Sequence, residues 1–286
     1  MSTQNGGCCQ PDPQGCATED TTVSEDKIHQ QVRESYSKVA EASNERDSCG
    51  NSDSCCGVSD VPIGLFSTRF GYSNDDVDAV PEGADMGLGC GNPRAIAGIQ
   101  AGETVLDLGS GGGFDCFLAA RELNHTGNVI GVDMTPSMIS KARANAEKTD
   151  YRNVEFRLGE IEYLPVADNS VDVIISNCVI NLSPNKLKVF KEVMRVLKPG
   201  GRIAISDVVA TTEFPEDIKN DLALYSSCIS GASLIDELES ILISAGFQEI
   251  GIAPKDESRE FIKDWAPGSS VENFVVSAHI TGIKSM

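Results

Sequence analysis

A chain of 286 residues, 40% of them hydrophobic, is long enough to bury one large core with a smaller covering segment. Its formal charge of −20 excludes a basic stripe that would neutralise the phosphates of nucleic acid, and it is equally ill-suited to an anionic membrane surface. No run of eighteen apolar residues is present, and the start, Met1 to Gly7, has neither a basic nor an apolar leader region, so a cytoplasmic protein is expected.

Residues 1–26 are polar and hold Cys8, Cys9 and Cys16 without periodicity, which predicts a mobile tail. Lys27 to Ala42 spaces Ile28, Val32, Tyr36 and Val39 as one face of an amphipathic helix. Asn44 to Asp60 is polar again and carries Cys49, Cys55 and Cys56, consistent with a lid or delivery arm. Ser73 predicts the cap of a short helix that ends by Pro81-Glu82-Gly83, and Gly87 to Pro93 is a glycine-rich loop centred on Cys90. Residues 27–100 thus form an N-terminal helix with cysteine-bearing loops.

From Thr104 the chain alternates strand and helix. The apolar run Thr104-Val105-Leu106 breaks at Asp107 into Gly109-Ser110-Gly111-Gly112-Gly113, and Phe114 to Leu123 resumes as helix. Glycine lets such a turn tighten and approach a ligand closely. A second apolar run, Val129 to Val132, ends at Asp133, twenty residues after Gly113, a spacing suited to a carboxylate on ribose hydroxyls. Thr135-Pro136 starts the next helix, Val154 to Leu158 and Val171 to Ser176 read as strands, and Lys186 to Leu197 reads as helix. Lys198-Pro199-Gly200-Gly201 is expected to stop that helix and turn into a fifth strand, Arg202 to Val209. Helical stretches at Asp217 to Tyr225 and Ser233 to Ser244 follow, then strands at Phe247 to Ala253 and Asn273 to Ile283 that would pair as an antiparallel edge.

This order predicts an α/β fold, a seven-stranded and mostly parallel sheet with helices on both faces, with residues 101–210 as the ligand-binding core and 211–286 completing the sheet. Ligands on such sheets sit beyond the carboxyl ends of the strands. Asp107, Asp133, Met134, Asn177 and Cys178 should therefore meet in one crevice, with Gly159-Glu160-Ile161 bordering an adenine. The pattern Asp-x-Gly-x-Gly-x-Gly, without the Gly-Lys-Ser/Thr of a phosphate loop, resembles methyltransferases that use S-adenosylmethionine. Asp107, Gly109, Ser110, Gly111 and Gly113 would cradle that donor in a Rossmann-like, class I methyltransferase fold.

Ten cysteines in a long chain without a leader favour reactive thiols over a disulfide scaffold. There is no Cys-x-x-Cys and there are only three histidines, so the spacings do not spell a structural zinc site. Cys90, Cys178 and Cys228, on three separate loops, instead suit a soft, three-coordinate centre with a lone pair, such as trivalent arsenic. Cys116, among Phe114, Phe117 and Leu118, reads as core. Two other readings use the same residues: a methyltransferase acting on carbon, oxygen or nitrogen of a small molecule, and a protein that sequesters arsenic or metal without catalysis.

Leu88-Gly89-Cys90-Gly91-Asn92-Pro93, Asp107-Leu108-Gly109-Ser110-Gly111, Gly131 to Thr135, Ser176-Asn177-Cys178-Val179-Ile180-Asn181-Leu182, Cys228 before Gly231-Ala232, and Asp264 to Gly268 together resemble the arsenite S-adenosylmethionine methyltransferases of prokaryotic type. The resemblance covers residues 27–286 and implies an arsenic-detoxifying enzyme in which Cys90, Cys178 and Cys228 ligate the substrate. It also implies an upstream redox cysteine, for which Cys49, Cys55 and Cys56 compete, with Cys55 and Cys56 the favoured pair. Arsenic would arrive free or as a glutathione or other thiol adduct, a thioredoxin or glutathione system would reset the thiols, and the chain would act as a monomer. Tyr36-Ser37 and Ile229-Ser230-Gly231-Ala232 depart from the family's usual Tyr-Gly and Gly-Gly-Ala.

Overall fold

The computed structural model describes residues 24–48, 63–124, 126–219 and 221–286; Cys8, Cys9, Cys16, Cys49, Cys55 and Cys56 lie outside them. Helix α1 (Glu25–Ser48) is followed by three short helices, α2 (Ile63–Arg69), α3 (Asn74–Asp78) and α4 (Arg94–Ala97). The alternating part then runs β1 (Thr104–Leu108), α5 (Phe114–Glu122), β2 (Asn128–Asp133), α6 (Pro136–Glu147), β3 (Val154–Leu158), β4 (Val171–Asn177), α7 (Lys186–Val196) and β5 (Leu197–Ala210). The last part holds α8 (Glu216–Lys219), α9 (Leu222–Ser226), α10 (Ile235–Ala245), β6 (Phe247–Lys255), α11 (Arg259–Ile262) and β7 (Val275–Lys284).

The seven strands form one sheet in the order β3-β2-β1-β4-β5-β7-β6. β1 to β5 pair in parallel, and β7 runs antiparallel to both neighbours. The period of two in a strand sends alternate residues to opposite faces. In β4, Ile174 therefore joins the core under α7 and α10, with Phe190, Val193 and Leu242, and Val171 reaches the same core because the strand is irregular between it and Val173. Val173 and Ile175 join the core under α5 and α6, with Phe117, Ile139 and Ala142.

The final two strands pair antiparallel at one edge of the sheet, as expected, with β7 inside and β6 outermost. Three details differ from the sequence reading. Lys198 to Gly201 extends β5: Leu197 pairs with Val171 across a bulge, Gly200 takes the left-handed conformation (φ +78°), and Lys198 Nζ meets Asp172 Oδ2 at 2.6 Å. The stretch around Asp217 to Tyr225 is two helices, because the Asp221 carboxylate accepts from Ala223 N and Leu224 N and starts α9 afresh. Asn44 to Ser48 belongs to α1, so helix replaces the first residues of the expected flexible arm.

α1 lies across the carboxyl ends of the strands and packs on α6 and α9. Its His29 ring is 3.0 Å from Glu162 Oε1, and the hydroxyl of Ser183 donates to the same carboxylate. The hydrogen bond with Glu162 pushes the His29 pKa up despite its partial burial. Glu162 is held below the usual carboxylate range, its burial outweighed by hydrogen bonds from His29 and Ser183. With the His29 pKa raised, its contribution is complete below the unfolded value and is lost as pH rises through the folded one. With the Glu162 pKa lowered, its contribution is complete above the unfolded value and is lost as pH falls through the folded one. Amide exchange in α1 is expected to be slowest between those limits and to quicken on either side once intrinsic exchange is corrected. In His29→Gln the alkaline limb should flatten, and an unchanged limb would refute the pairing.

Candidate active site

The strand ends and α1 enclose a cavity of about 640 Å³. One side is built by the glycine loop. Gly109 and Gly111 have φ of +70° and +50°, and a Cβ at Gly109 would lie 2.3 Å from Val179 Cγ2, so the backbone itself forms the wall. Ser110 is buried, and its hydroxyl has no hydrogen-bond partner, as expected of a group awaiting a ligand. Asp133 ties the glycine loop after β1 to the turn after β2: its Oδ2 accepts from Gly111 N at 3.1 Å and its Oδ1 from Thr135 N at 2.8 Å.

The charge on the lining is one-sided. Asp85, Asp107, Asp115, Asp133 and Glu162 face the cavity, and no lysine or arginine lines it among the described residues. Burial pushes Asp107 and Asp133 above the usual carboxylate range and Asp115 up to about 6. The Cys116 thiol, packed in the core as expected, donates to Asp107 Oδ2 at 3.3 Å. Buried carboxylates without cations favour a ligand that brings positive charge, as a sulfonium and an ammonium do, and disfavour a pyrophosphate.

At the far end lie thiols. Cys178 directly follows β4, its N–H donates to Ser206 O, and its φ is +56°. Cys228 follows α9 with φ +63°. Six non-glycine residues have positive φ among the described ones, and two are these cysteines. Such conformations cost energy and collect at functional sites. Both line the cavity. The Cys228 thiol donates to the Cys178 carbonyl at 2.7 Å, and Cys90 is buried beside them in a cluster with Val32, Leu182 and Ile262. Cys90 and Cys178 thiols contact one another, and burial raises both above the ordinary thiol range.

The loop bearing Cys90 is fastened by Asn177. Its Oδ1 accepts from Cys90 N at 3.0 Å, while its Nδ2 donates to Gly91 O at 2.7 Å and to the Tyr72 hydroxyl at 3.0 Å. Tyr72 in turn donates to both Asp115 oxygens, at 2.7 and 2.9 Å. Removing a buried side chain that satisfies several partners costs about 1 to 3 kcal/mol per orphaned group. Asn177→Ala is therefore expected to free the loop and raise the alkylation rate of Cys90 by about tenfold or more, a 1.4 kcal/mol change in opening. Peptide mass spectrometry after timed iodoacetamide exposure checks it, and an unchanged rate would sink the fastening role.

Of the residues singled out from sequence, Asp107, Gly109, Ser110, Gly111, Asp133, Met134, Gly159, Ile161, Asn177, Cys178 and Cys228 line the cavity. Gly113 does not line it; it caps α5 with φ +94°. Glu160 also lies outside the lining and pairs with Arg33 of α1 at 3.1 Å. Cys55 and Cys56 are outside the described residues. Tyr72, Asp115, Glu162 and Asp207 were not singled out by sequence reasoning. For Asp207 a signal existed, a lone charge inside the apolar run Ile203 to Val209; for Tyr72 none did.

The model for a methyltransferase domain matches residues 99–246. The chain is 53% identical over 264 residues to an arsenite methyltransferase of Halobacterium salinarum, covering 91% of this chain and 67% of that one. It is 37% identical to an arsenite methyltransferase of Aquipseudomonas alcaligenes, covering 78% of this chain and 62% of the relative, so it is shorter than both. Among solved structures, an arsenic(III) S-adenosylmethionine methyltransferase from Chlamydomonas reinhardtii superposes with a TM-score of 0.57 at 30% identity, covering 80% of this chain and 75% of that one. Strand order, glycine loop and acidic cavity define an S-adenosylmethionine-dependent methyltransferase of the Rossmann-like class. Within that class, the chain belongs to the arsenite methyltransferase family.

Proposed function

We propose that this chain methylates trivalent arsenic held by Cys90, Cys178 and Cys228, with S-adenosylmethionine as donor. The observation that carries the reading is the junction of an acidic, cation-seeking cavity with two strained cysteines and a third beside them. As arsenite loads, each thiol forms a sulfur–arsenic bond, and its proton leaves with an arsenic hydroxyl as water, so three thiols release three waters with no net change in charge. The ligated arsenic keeps a lone pair that carries no proton, so the nucleophile requires no general base.

Gly109, Ser110, Gly111, Asp133 and Met134 would hold the donor, with Asp107 and Asp115 beside them offsetting its positive charge. Bound there, S-adenosylmethionine supplies a methyl group on a positively charged sulfur. The apolar cluster around Cys178, roofed by Val32, Tyr36 and Trp265, keeps water from the thiols. Positioning of this kind is worth up to about 7 to 11 kcal/mol.

Methyl transfer formally oxidises arsenic by two electrons. Two thiols that pair as a disulfide would return them, with Cys55 or Cys56 as candidate partner and a thioredoxin or glutathione system restoring the thiols. No helix among the described residues is long and apolar enough to cross a membrane, and a reducing cytoplasm suits the cycle. The test is incubation with radiolabelled donor, arsenite and a thiol reductant. Labelled methylarsenicals are expected; label on a different acceptor, or none with donor binding intact, would remove the arsenic assignment and leave the donor site.

A further inference from the structure

Cys90 Sγ, Cys178 Sγ and a carboxylate oxygen of Asp207 all lie within 4.8 Å of one another. Three thiolates saturate trivalent arsenic, whose fourth position is a lone pair, so arsenic chemistry gives an oxygen donor at this spot nothing to bind. Asp207 is nonetheless buried and rigidly aimed: its Oδ2 accepts from Ile180 N at 2.8 Å, and its Oδ1 accepts from Val208 N at 2.7 Å and Asn181 Nδ2 at 2.9 Å. A carboxylate has roughly four lone-pair positions, so about one stays open. Among the described residues no lysine or arginine is within ion-pair distance of it; the Lys186 ammonium donates to Gly231 O and acts on Asp207 only at longer range.

We propose that Cys90, Cys178 and Asp207, with Cys228 as fourth donor, form a binding site for a soft divalent cation of the zinc group, which occupies the thiols in competition with trivalent arsenic. Such ions take four donors tetrahedrally from thiolates and carboxylates. Bonds of about 2.0 to 2.3 Å space tetrahedral donors by about 3.3 to 3.8 Å, so the three atoms have to close by at most about 1 to 1.5 Å. Cys228 lies outside that 4.8 Å group but donates its thiol to the Cys178 carbonyl and contacts the Cys178 side chain, which makes it the neighbouring thiol that would supply the fourth donor. The ions differ in one requirement. Arsenic needs the thiols alone, whereas the divalent cation needs Asp207 as well.

The inference uses the same thiols as the methylation reading, and its test separates the two. The full chain with Cys8, Cys9, Cys16, Cys49, Cys55 and Cys56 changed to Ser leaves the site thiols and Cys116. Cadmium is titrated in, sulfur-to-cadmium absorption is followed, and arsenite is added in competition. One cadmium per chain, displaced by arsenite, is expected. Asp207→Asn removes one acceptor near the Cys178 loop and so touches both ions, but it should weaken cadmium by about tenfold or more beyond any effect on arsenite, the scale on which metal sites respond to a lost partner. X-ray absorption of the cadmium complex, which needs no variant at Asp207, should show sulfur together with one oxygen. An all-sulfur shell, no cadmium at the site, or equal cadmium affinity in Asp207→Asn would overturn the proposal. Cadmium bound in this way by a chain that ignores arsenite would keep the cation site but overturn the competition, and would defeat the methylation reading.

Discussion

Cys178→Ser is expected to lower arsenite methylation by at least about a hundredfold, roughly 2.7 kcal/mol in the transition state, while affinity for S-adenosylhomocysteine changes less than about threefold. Serine keeps the size and hydrogen-bonding habit of the side chain and removes only the thiophilic atom. It also leaves the strained backbone (φ +56°) in place, so the comparison isolates sulfur chemistry from fold. Cys178 is the junction of the site: its thiol contacts Cys90, its carbonyl receives the Cys228 thiol, and it lines the donor cavity. A single-turnover assay with labelled donor measures the first methyl transfer and avoids any limit from thiol regeneration. Retention of more than a tenth of the wild-type rate would show that the other two thiols suffice and that Cys178 is a packing residue.

Gly231→Ala is expected to be the most damaging single methyl group added to the covering segment. Its Cβ would lie 2.0 Å from the backbone oxygen of Asn181, and neither side is free to yield. Asn181 is tied to Asp207 Oδ1 at 2.9 Å and Val208 O at 2.6 Å, and the Gly231 carbonyl accepts from Lys186 Nζ at 2.5 Å. Overpacking of this kind costs about 1 to 3 kcal/mol, more where backbone meets backbone. For a chain of this size the melting temperature should fall by roughly 5 °C or more. The strain is local to the loop that carries Cys228, so arsenite binding should weaken while binding of the donor analogue survives. Unchanged melting and unchanged methylation would mean that the Cys228 loop is not seated as described.

Much of the frame was legible in residue order, and for a physical reason. The apolar runs Val105-Leu106, Val129 to Val132 and Val173 to Ile175 are buried on both faces in a parallel sheet, so they read as continuous hydrophobic segments. Glycines between strand and helix can be seen because they take the left-handed turns at Gly109, Gly111 and Gly113 without the strain other residues would carry. From these alone follow the sheet and a cavity at the strand ends. The cysteines at 90, 178 and 228 could be singled out because each stands at a strand end or in a glycine-bearing loop, apart from the polar stretches that hold six of the others.

Other features were decided only when distant segments met. Lys198 to Gly201 looks like a turn by local preference, but pairing of Leu197 with Val171 makes it strand, since tertiary hydrogen bonds outweigh propensity. Asn177 reads as a polar strand end; its role as the fastener of the Cys90 loop exists only because residues 72, 90 and 91 converge on it. The absence of lysine and arginine from the cavity wall is a property of one surface, invisible in a composition that counts twenty-three of them. The partnership of Asp207 with Cys90 and Cys178 likewise joins β5 to two loops far away in the chain. Sequence determined which groups have the right chemistry and where the chain must turn. Tertiary structure decided which of them share a cavity, because contact across the sheet depends on strand order, and no local pattern encodes it.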